Sequence, residues 1–154
     1  MKTITASADV ARSAQEVFAL VSDAARLPLW QPSVDQAALE PPGQPSVGAR
    51  GYEVRRVQGK PRTFHWEITE YEPNTVFSVR GTDGPVRAHA RIACAAIDGG
   101  SATQVDYRLG FEGHGIGKVF AVLARRGARK EVPASLALLK QHLERSANPS
   151  DSSR

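Results

Sequence analysis

Apolar and polar residues alternate along much of this chain, and the alternation predicts a sheet with one dry face. The stretches at residues 86–92 and 103–111 change between apolar and polar at every position, which is the period of a strand buried on one side. Short turn-type connections separate the strands, so consecutive antiparallel pairing is the simplest topology. Strands are predicted at residues 2–10, 33–39, 49–57, 62–71, 75–80, 86–97 and 102–111.

Two short helices are predicted between the first and second strands. Ser13 is followed three residues later by Glu16 ahead of an apolar run, a capping-box pattern that marks the start of a helix. Asp23 offers a second cap for a helix over residues 24–29. This second helix is expected to end near Trp30, because prolines flank that position.

A single long helix, predicted over residues 116–145, closes the chain and is the only element long enough to cover the dry face. Its inward stripe is predicted to include Phe120 and Leu123, although basic residues interrupt the stripe. Pro133 lies in the middle of the helix, where a proline costs about 3 kcal/mol. The sequence therefore predicts an irregularity near residues 129–133.

The composition is that of an ordinary single domain. The chain has 154 residues, of which 41% are hydrophobic and 23% are charged, and these values fit one soluble globular unit. No apolar run approaches the roughly 18 residues of a membrane span, and the N-terminus lacks the apolar stretch of a signal peptide. The single cysteine, Cys94, excludes an internal disulfide and fits a reducing compartment. A cytoplasmic location is therefore predicted.

The net charge of +4 comes from the C-terminal part of the chain. Residues 115–154 contain eight Lys or Arg and three Asp or Glu. One interpretation is a solvated helix face, since cations suit the C-terminal half of a helix. The other is a surface for an anionic partner, formed by the basic cluster Arg125, Arg126, Arg129 and Lys130. Nucleic acid is not expected, because no aromatic residues are interleaved with these cations.

Three motifs carry a resemblance to a known family. They are a D-x-x-x-L-x-x-W-x-P turn from Asp23 to Pro32, a Val-Gly-Ala-Arg strand start at residues 47–50, and the segment from Trp66 to Pro73. Together with the order strand, two short helices, six strands and long helix, they make the chain resemble the START-like, or SRPBCC, superfamily. Within that superfamily the chain looks most like the bacterial polyketide cyclase/dehydrase group.

The resemblance implies a helix-grip fold of the α+β class, in which a seven-stranded antiparallel sheet curls round the C-terminal helix above a cavity. Residues 1–145 are expected to form this single domain, followed by a flexible polar tail at residues 146–154. Members of the superfamily bind lipids, sterols, polyketides and plant hormones, and a minority catalyse reactions on what they bind. The expected partner is a small apolar molecule. A homodimer stays open, and neither a cofactor nor a metal is expected.

Catalytic groups are sparse on the face that the alternation predicts as dry. His65 and His89 fall on the opposite face, where both are expected to be solvated. Ion pairs of Arg91 with Glu67 or Asp106 are expected on that same outer face. No His or Cys spacing resembles a zinc site, and no nucleophile motif or phosphate-binding loop is present. No catalytic residue is therefore assigned.

The predicted binding residues are large side chains expected to face the space between sheet and helix. The strand at residues 86–97 contributes mainly alanines to that space, and small residues facing large ones either interdigitate or leave a void. Tyr52, Tyr107, Arg56 and His114 are the polar candidates for orienting a ligand. The full predicted ligand-binding set is Trp30, Tyr52, Phe64, Trp66, Phe77, Tyr107, Phe111, His114, Phe120 and Leu123.

Three functions fit these features. The favoured one is binding of a small, largely hydrophobic ligand, such as a lipid, a polyketide or an aromatic metabolite, in an internal cavity. The alternative is an enzyme of the polyketide cyclase, aromatase or dehydratase type, which needs a positioned acid or base in the dry interior. The third is an interaction module that docks on a partner through the basic C-terminal helix.

Overall fold

The fold is an antiparallel sheet gripping one long helix, and the computed structural model describes it for residues 2–145. The tail predicted at residues 146–154 lies outside the described residues. The elements are β1 (Thr3–Val10), α1 (Ala14–Val21), a 3₁₀ segment (Ala24–Leu29), β2 (Val34–Leu39), β3 (Arg50–Val57), β4 (Lys60–Glu72), β5 (Val76–Gly81), β6 (Val86–Ile97), a one-turn 3₁₀ segment (Asp98–Gly100), β7 (Ala102–Gly113) and α2 (Gly117–Arg145).

The seven strands form one sheet in the order β1-β7-β6-β5-β4-β3-β2, and every neighbouring pair is antiparallel. From β2 to β7 the strands follow one another in sequence, and β1 joins the free edge of β7. Helix α2 lies chiefly against β1 and β7, and it contacts β3 through the ion pair of Glu131 with Arg55. These features confirm the predicted helix-grip fold and its meander.

Both short helical segments begin at the predicted caps. The Ser13 hydroxyl accepts a hydrogen bond from the backbone N–H of Glu16 at 3.3 Å and donates one to the Glu16 carboxylate at 3.2 Å. Asp23 accepts from the backbone N–H of Ala25 at 3.1 Å at the start of the 3₁₀ segment. Each bond satisfies an amide that a helix start would otherwise leave without a partner.

The interior is closed at one end and open at the other. Around the C-terminal half of α2, the inward side chains of Val10, Val105 and Leu139 are fully buried. Toward the start of α2 the inward residues are only half-buried, although they continue the same strands: Phe64, Val79, Ala88, Ala90, Leu109 and Phe111. This end of the interior is therefore more accessible to solvent than the other, although Ala90, Leu109 and Phe111 still pack against the core. We call it the open end of the grip, and the region between its side chains and the start of α2 the open space.

Helix α2 runs unbroken from Gly117 to Arg145 through Pro133, so the predicted irregularity is wrong at the level of secondary structure. The residues on either side of the proline, Val132 and Leu136, are buried in the core. Their packing holds the helix together although the proline removes one backbone hydrogen bond.

A β-bulge in β4 changes which side chains face inward. The pairing with β5 shifts register between Ile68 and Glu70, so the alternation reverses beyond that point. Tyr71 consequently faces inward and packs edge-on against Phe77, with ring centroids 6.3 Å apart. Glu70 turns outward and pairs with Arg91 at 2.9 Å. The outer ion pair of Arg91 is therefore with Glu70, and the partners expected for it are wrong.

The start of α2 is fixed by a close backbone contact. A Cβ atom on Gly117 would lie 2.2 Å from the carbonyl oxygen of Pro85 in the β5–β6 turn. We expect Gly117→Ala to lower the free energy of unfolding by about 1–3 kcal/mol, the usual cost of overpacking. Urea denaturation measures this loss.

Gly127→Ala is the matched control, because no atom lies within 4 Å of a Cβ atom at this helical position. Alanine is favoured over glycine inside a helix by about 1 kcal/mol, so this variant should be stabilised. Equal effects of the two substitutions would contradict the close contact at Gly117.

Candidate functional site

A polar cluster centred on Arg55 joins the sheet to α2 beside the open space. One terminal nitrogen of Arg55 donates to Ser33 at 2.8 Å and to Glu131 of α2 at 3.0 Å. The other donates to Gln31 at 2.6 Å and to Glu53 at 2.9 Å. Ser33 also donates to Glu131. The guanidinium thus ties the 3₁₀ connection, β3 and α2 together through charge-assisted bonds.

The register of β3 explains why Arg55 points inward. Gly51 lies opposite Trp66, and a Cβ atom on Gly51 would meet the Trp66 ring, so this face of β3 carries the Trp66 side chain. Glu53 and Arg55 follow at intervals of two residues and share that face. The inward placement of Glu53 and Arg55 could not be predicted from the sequence, because Gly, Glu and Arg at alternate positions do not resemble the apolar side of a strand.

Arg56, the predicted polar candidate, lies on the other face of β3. Its guanidinium pairs with Asp35 at 3.2 Å and donates to the carbonyl of Pro32 at 2.8 Å. Half of its side chain is exposed. The expected inward placement of Arg56 is therefore wrong, and its neighbour Arg55 is the inward arginine.

Tyr107 is the hydroxyl of the cluster and is almost fully buried, with 4% of its surface exposed. Burial raises the pKa of Tyr107 to about 12, against the opposing effect of the nearby Arg55 charge. The Gln31 side chain also acts to lower this pKa. At neutral pH the phenol therefore stays protonated and serves as a hydrogen-bond donor, not as a base.

Trp30 lies against Tyr107 with ring centroids 6.0 Å apart. The sequence predicts Trp30 near the edge of the space between sheet and helix, but only 1% of the Trp30 surface is exposed. Its indole Nε1–H is buried and finds no acceptor among the described residues. A buried N–H without an acceptor is costly, so this donor stands out as the unsatisfied polar group beside Tyr107.

Most predicted aromatic residues line the inner face. Trp66 is buried, whereas Phe64, Phe77 and Phe111 are half-buried. Phe120 is half-exposed and lies eleven residues, or three turns, before Glu131 on the same side of α2. Because Glu131 contacts the β3 side of the sheet, Phe120 faces the open space. These residues surround the space, and their part in ligand binding stays a prediction.

Two other residues of the predicted set lie elsewhere. Tyr52 is paired with His65 and shares its outward face, because the alternation along β3 gives the inner face to Gly51 and Glu53. Leu123 is half-exposed on the side of α2 that faces away from the sheet. The inward placement of Tyr52 and Leu123 is therefore wrong.

His114 borders the site only at the surface. Its ring is 64% exposed, and Nε2 lies 3.9 Å from a carboxylate oxygen of Glu112. The glycines around it serve the backbone contact at the start of α2, where the His114 amide donates to the Pro85 carbonyl at 3.1 Å. His114 is thus in the predicted place, at the junction of β7 and α2, but it does not join the Arg55 cluster.

His65 and His89 both lie outside the inner site, in agreement with the alternation. His65 Nδ1 contacts Asp83 at 2.7 Å, and His89 Nε2 contacts Glu112 at 3.2 Å. The His65–Asp83 pair borders an open depression of about 300 Å³ at the outer edge of β3 and β4. Burial acts to raise the pKa of Asp83, but hydrogen bonds from His65 lower it below its usual value.

Cys94 lies in the hydrophobic core, and the reactivity of its thiol tests how well solvent is excluded there. Burial raises the pKa of its thiol to about 11, with a smaller contribution from Asp106. The folded protein then keeps this proton where the unfolded chain loses it, so the contribution to stability is constant below about pH 8 and falls as the pH rises from 9 to 11. At pH 8 the native thiol should react slowly with a disulfide reagent such as Ellman's, and the urea-unfolded chain quickly.

The loss of stability at alkaline pH should be about 1.4 kcal/mol for each tenfold difference in thiol acidity between the folded and unfolded chains. Urea denaturation at pH 8 and pH 11 measures it, and Cys94→Ala is the control, since it removes the titrating group. Identical pH dependence of the variant and the unchanged protein would contradict a raised thiol pKa.

In the part of the chain that the structure describes, no three His, Cys, Asp or Glu side chains are arranged to hold a metal ion. No helix within residues 2–145 is long and apolar enough to cross a membrane.

Comparisons with known proteins agree with the fold. The model of a family described as "Polyketide cyclase / dehydrase and lipid transport" matches residues 1–144. A search of curated proteins found no match.

Solved structures show the same architecture at low sequence identity. The Zhui aromatase/cyclase from Streptomyces sp. R1128 superposes with a TM-score of 0.80 at 14% identity, covering 97% of both chains. A START superfamily protein from Mycobacterium smegmatis gives 0.70 at 18% identity, covering 93% of this chain and 97% of its own.

The di-domain aromatase/cyclase BexL of the BE-7585A biosynthetic pathway gives a TM-score of 0.75 at 18% identity, covering 97% of this chain. The match covers 48% of BexL, so this chain spans about half the length of that protein. At such identities the likeness concerns the fold.

Proposed function

The chain belongs to the polyketide cyclase/dehydrase and lipid transport family, and from this premise we propose that it binds a small, largely apolar molecule between α2 and the sheet. The observation that carries the proposal is the open end of the grip. Its inward residues continue the strands of a packed core, yet they are only half-buried. A bound molecule would complete that core.

The apolar lining supplies the affinity. Phe64, Phe111 and Phe120 border the space, with the small residues Ala88 and Ala90 as its floor. Removing about 200 Å² of apolar ligand surface from water is worth roughly 5 kcal/mol at 25 cal/mol per Å². Part of this gain is offset by the lost freedom of the ligand, so apolar contacts alone are expected to give an affinity no tighter than about 0.2 mM.

Buried donors define the polar part of the ligand. The Trp30 Nε1–H has no acceptor among the described residues, and the Tyr107 hydroxyl stays protonated. Both groups suit oxygen atoms on the ligand, such as carbonyls or hydroxyls. An oxygenated aromatic or polyketide-like molecule fits these donors better than a plain hydrocarbon does, because the latter would leave them unpaired.

A cyclase, aromatase or dehydratase activity is the second candidate, and the Arg55 cluster favours it by placing charged groups on the inner face. Two features make simple binding the better account. The raised pKa of Tyr107 disfavours it as a base at neutral pH, and the carboxylates of Glu53 and Glu131 are engaged by Arg55. A catalytic base needs a free lone pair near the substrate.

Titration with the apolar dye Nile red, followed by extraction and identification of molecules that co-purify with the protein, tests the proposal. We expect saturable dye fluorescence that a co-purified aromatic or lipid molecule displaces. Failure of the dye to bind, together with an empty extract, would contradict the proposal.

Tyr107→Phe separates the two candidate functions. In a binding protein, loss of one hydroxyl should weaken a ligand that contacts it by about 0.5–1.5 kcal/mol and change nothing else. In an enzyme the same change should lower turnover while the substrate still binds. Turnover of an extracted polyketide-like molecule, abolished by Tyr107→Phe at unchanged affinity, would establish the enzyme.

A further inference from the structure

A group of large apolar side chains is exposed at the start of α2. Monomeric proteins rarely leave contiguous apolar surface without a use. We call this group the α2 tip. Its members are Ile116, Val119, Val122 and Leu123. Their exposed surface falls from 74% for Ile116 to 50% for Leu123.

The α2 tip is distinct from the proposed ligand space. The buried stripe of α2 passes through Ala128, Val132 and Leu139. At 100° per residue, Val119 and Leu123 lie on the opposite side of the helix. A surface depression of about 360 Å³ forms there, and its lining is Lys118, Val119, Val122, Leu123 and Arg126.

Cations follow the apolar residues along the helix. We call Lys118, Arg125, Arg126, Arg129 and Lys130 the basic collar. In the described part of the chain none of the five forms an ion pair. Residues 117–131 contain one acidic residue, Glu131. Its carboxylate accepts hydrogen bonds from Arg55 and Ser33. The collar therefore presents uncompensated positive charge beside exposed apolar groups.

The arrangement of apolar and basic side chains along helix α2 indicates the kind of partner. The apolar residues come first, and most of the collar follows at residues 125–130, so polarity rises over about 10 Å of helix at 1.5 Å per residue. Helices that bind anionic membranes bury exposed apolar side chains at the boundary of headgroups and acyl chains and keep Lys and Arg at the polar level. We propose that the α2 tip docks on an anionic membrane, with the collar at the level of the lipid phosphates.

Other occupants fit less well. A symmetric pairing of two copies through this face would bring two basic collars together, and like charges in contact oppose association. An acidic protein surface alone would match the collar but not the apolar side chains of the α2 tip, whereas an anionic lipid surface accommodates both. Docking stands on the exposed face of α2 and does not depend on the proposed ligand.

Co-sedimentation of the full chain with vesicles tests the proposal. We expect binding to phosphatidylcholine vesicles that contain roughly one-third phosphatidylglycerol, and much weaker binding to pure phosphatidylcholine. Each cation near an anionic surface contributes a factor of about five to the affinity. Arg126→Glu with Lys130→Glu should therefore weaken binding by about 20-fold or more.

The matched control is Lys60→Glu with Arg62→Glu, which changes the net charge equally on the exposed β3–β4 hairpin. It should bind anionic vesicles far better than the collar variant does. Val119→Ser with Leu123→Ser should also weaken binding, although it leaves the charge unchanged. Thermal unfolding of each variant checks that the fold is retained.

Insertion is measured with an environment-sensitive dye on Val119→Cys in a Cys94→Ala background. Its emission should shift to the blue on anionic vesicles. Three outcomes would overturn the proposal: no binding to anionic vesicles, equal loss in the hairpin control, or binding that the two serine substitutions leave unchanged. Association with an acidic protein in the absence of vesicle binding would assign the collar to a protein partner instead.

Discussion

Ala90→Phe should abolish ligand binding and leave the protein folded. Ala90 is half-buried on the inner face of β6, opposite Val79 and Leu109, at the open end of the grip. A phenyl ring there would occupy the volume that a ligand needs. We expect the affinity for Nile red or for a co-purified molecule to fall by about 100-fold or more. Because Ala90 packs against the edge of the core, the free energy of unfolding should fall by about 1–3 kcal/mol, the usual cost of overpacking.

Ala95→Phe is the matched control, since Ala95 is exposed on the outer face of the same strand. It should bind the dye as the unchanged protein does. The control also separates the inner space from the α2 tip, because dye held only at the tip would be insensitive to Ala90→Phe. Equal binding by the Ala90→Phe variant and the unchanged protein would contradict a ligand space above β6.

Arg55→Met should cause the largest loss of stability among single substitutions of the cluster. It leaves the carboxylates of Glu53 and Glu131 facing each other without the cation between them. Removing one partner of a buried ion pair costs about 3–5 kcal/mol. Since 23% of the Arg55 side chain is exposed, we expect a loss at or just below the lower end of that range, about 2–3 kcal/mol, in urea denaturation.

Arg56→Met is the neighbouring control. Arg56 pairs with Asp35 at the surface, and exposed pairs contribute about 0–1 kcal/mol. Adding Glu53→Gln and Glu131→Gln to Arg55→Met should recover part of the loss, because no unpaired charge then remains. Equal destabilisation by the two arginine substitutions would show that Arg55 is not the centre of the cluster.

The order of the elements could be predicted because it depends on local signals. The alternation of apolar and polar residues in β6 and β7 predicts their pairing and their inner faces, and the capping box at Ser13 predicts the start of α1. These signals act over a few residues and do not depend on the rest of the fold.

The inner site could be predicted only in part, because its polar residues depend on register. The bulge between Ile68 and Glu70 turns Tyr71 inward, and no residue type at that point indicates a bulge. Arg55 faces inward because β3 pairs Gly51 with Trp66, a relation between strands that a single strand's composition does not contain.

Helix α2 shows a different limit. Its apolar residues at 119, 120 and 123 resemble an inward stripe, but the side that the sheet covers passes through Ala121, Ala128 and Val132. A periodic pattern reports that a helix has an apolar side, and it does not report whether a sheet covers that side. At the start of α2 the small residues Gly117 and Ala121 face the sheet, whereas Val119 and Leu123 face outward.

A ligand between α2 and the sheet can be detected by native mass spectrometry of the protein and of its Ala90→Phe variant, purified in parallel from the same cells. We expect a small molecule in near-stoichiometric amount on the unchanged protein and none on the variant, with both proteins folded. The same molecule at the same level on both proteins would contradict a ligand space between α2 and the sheet.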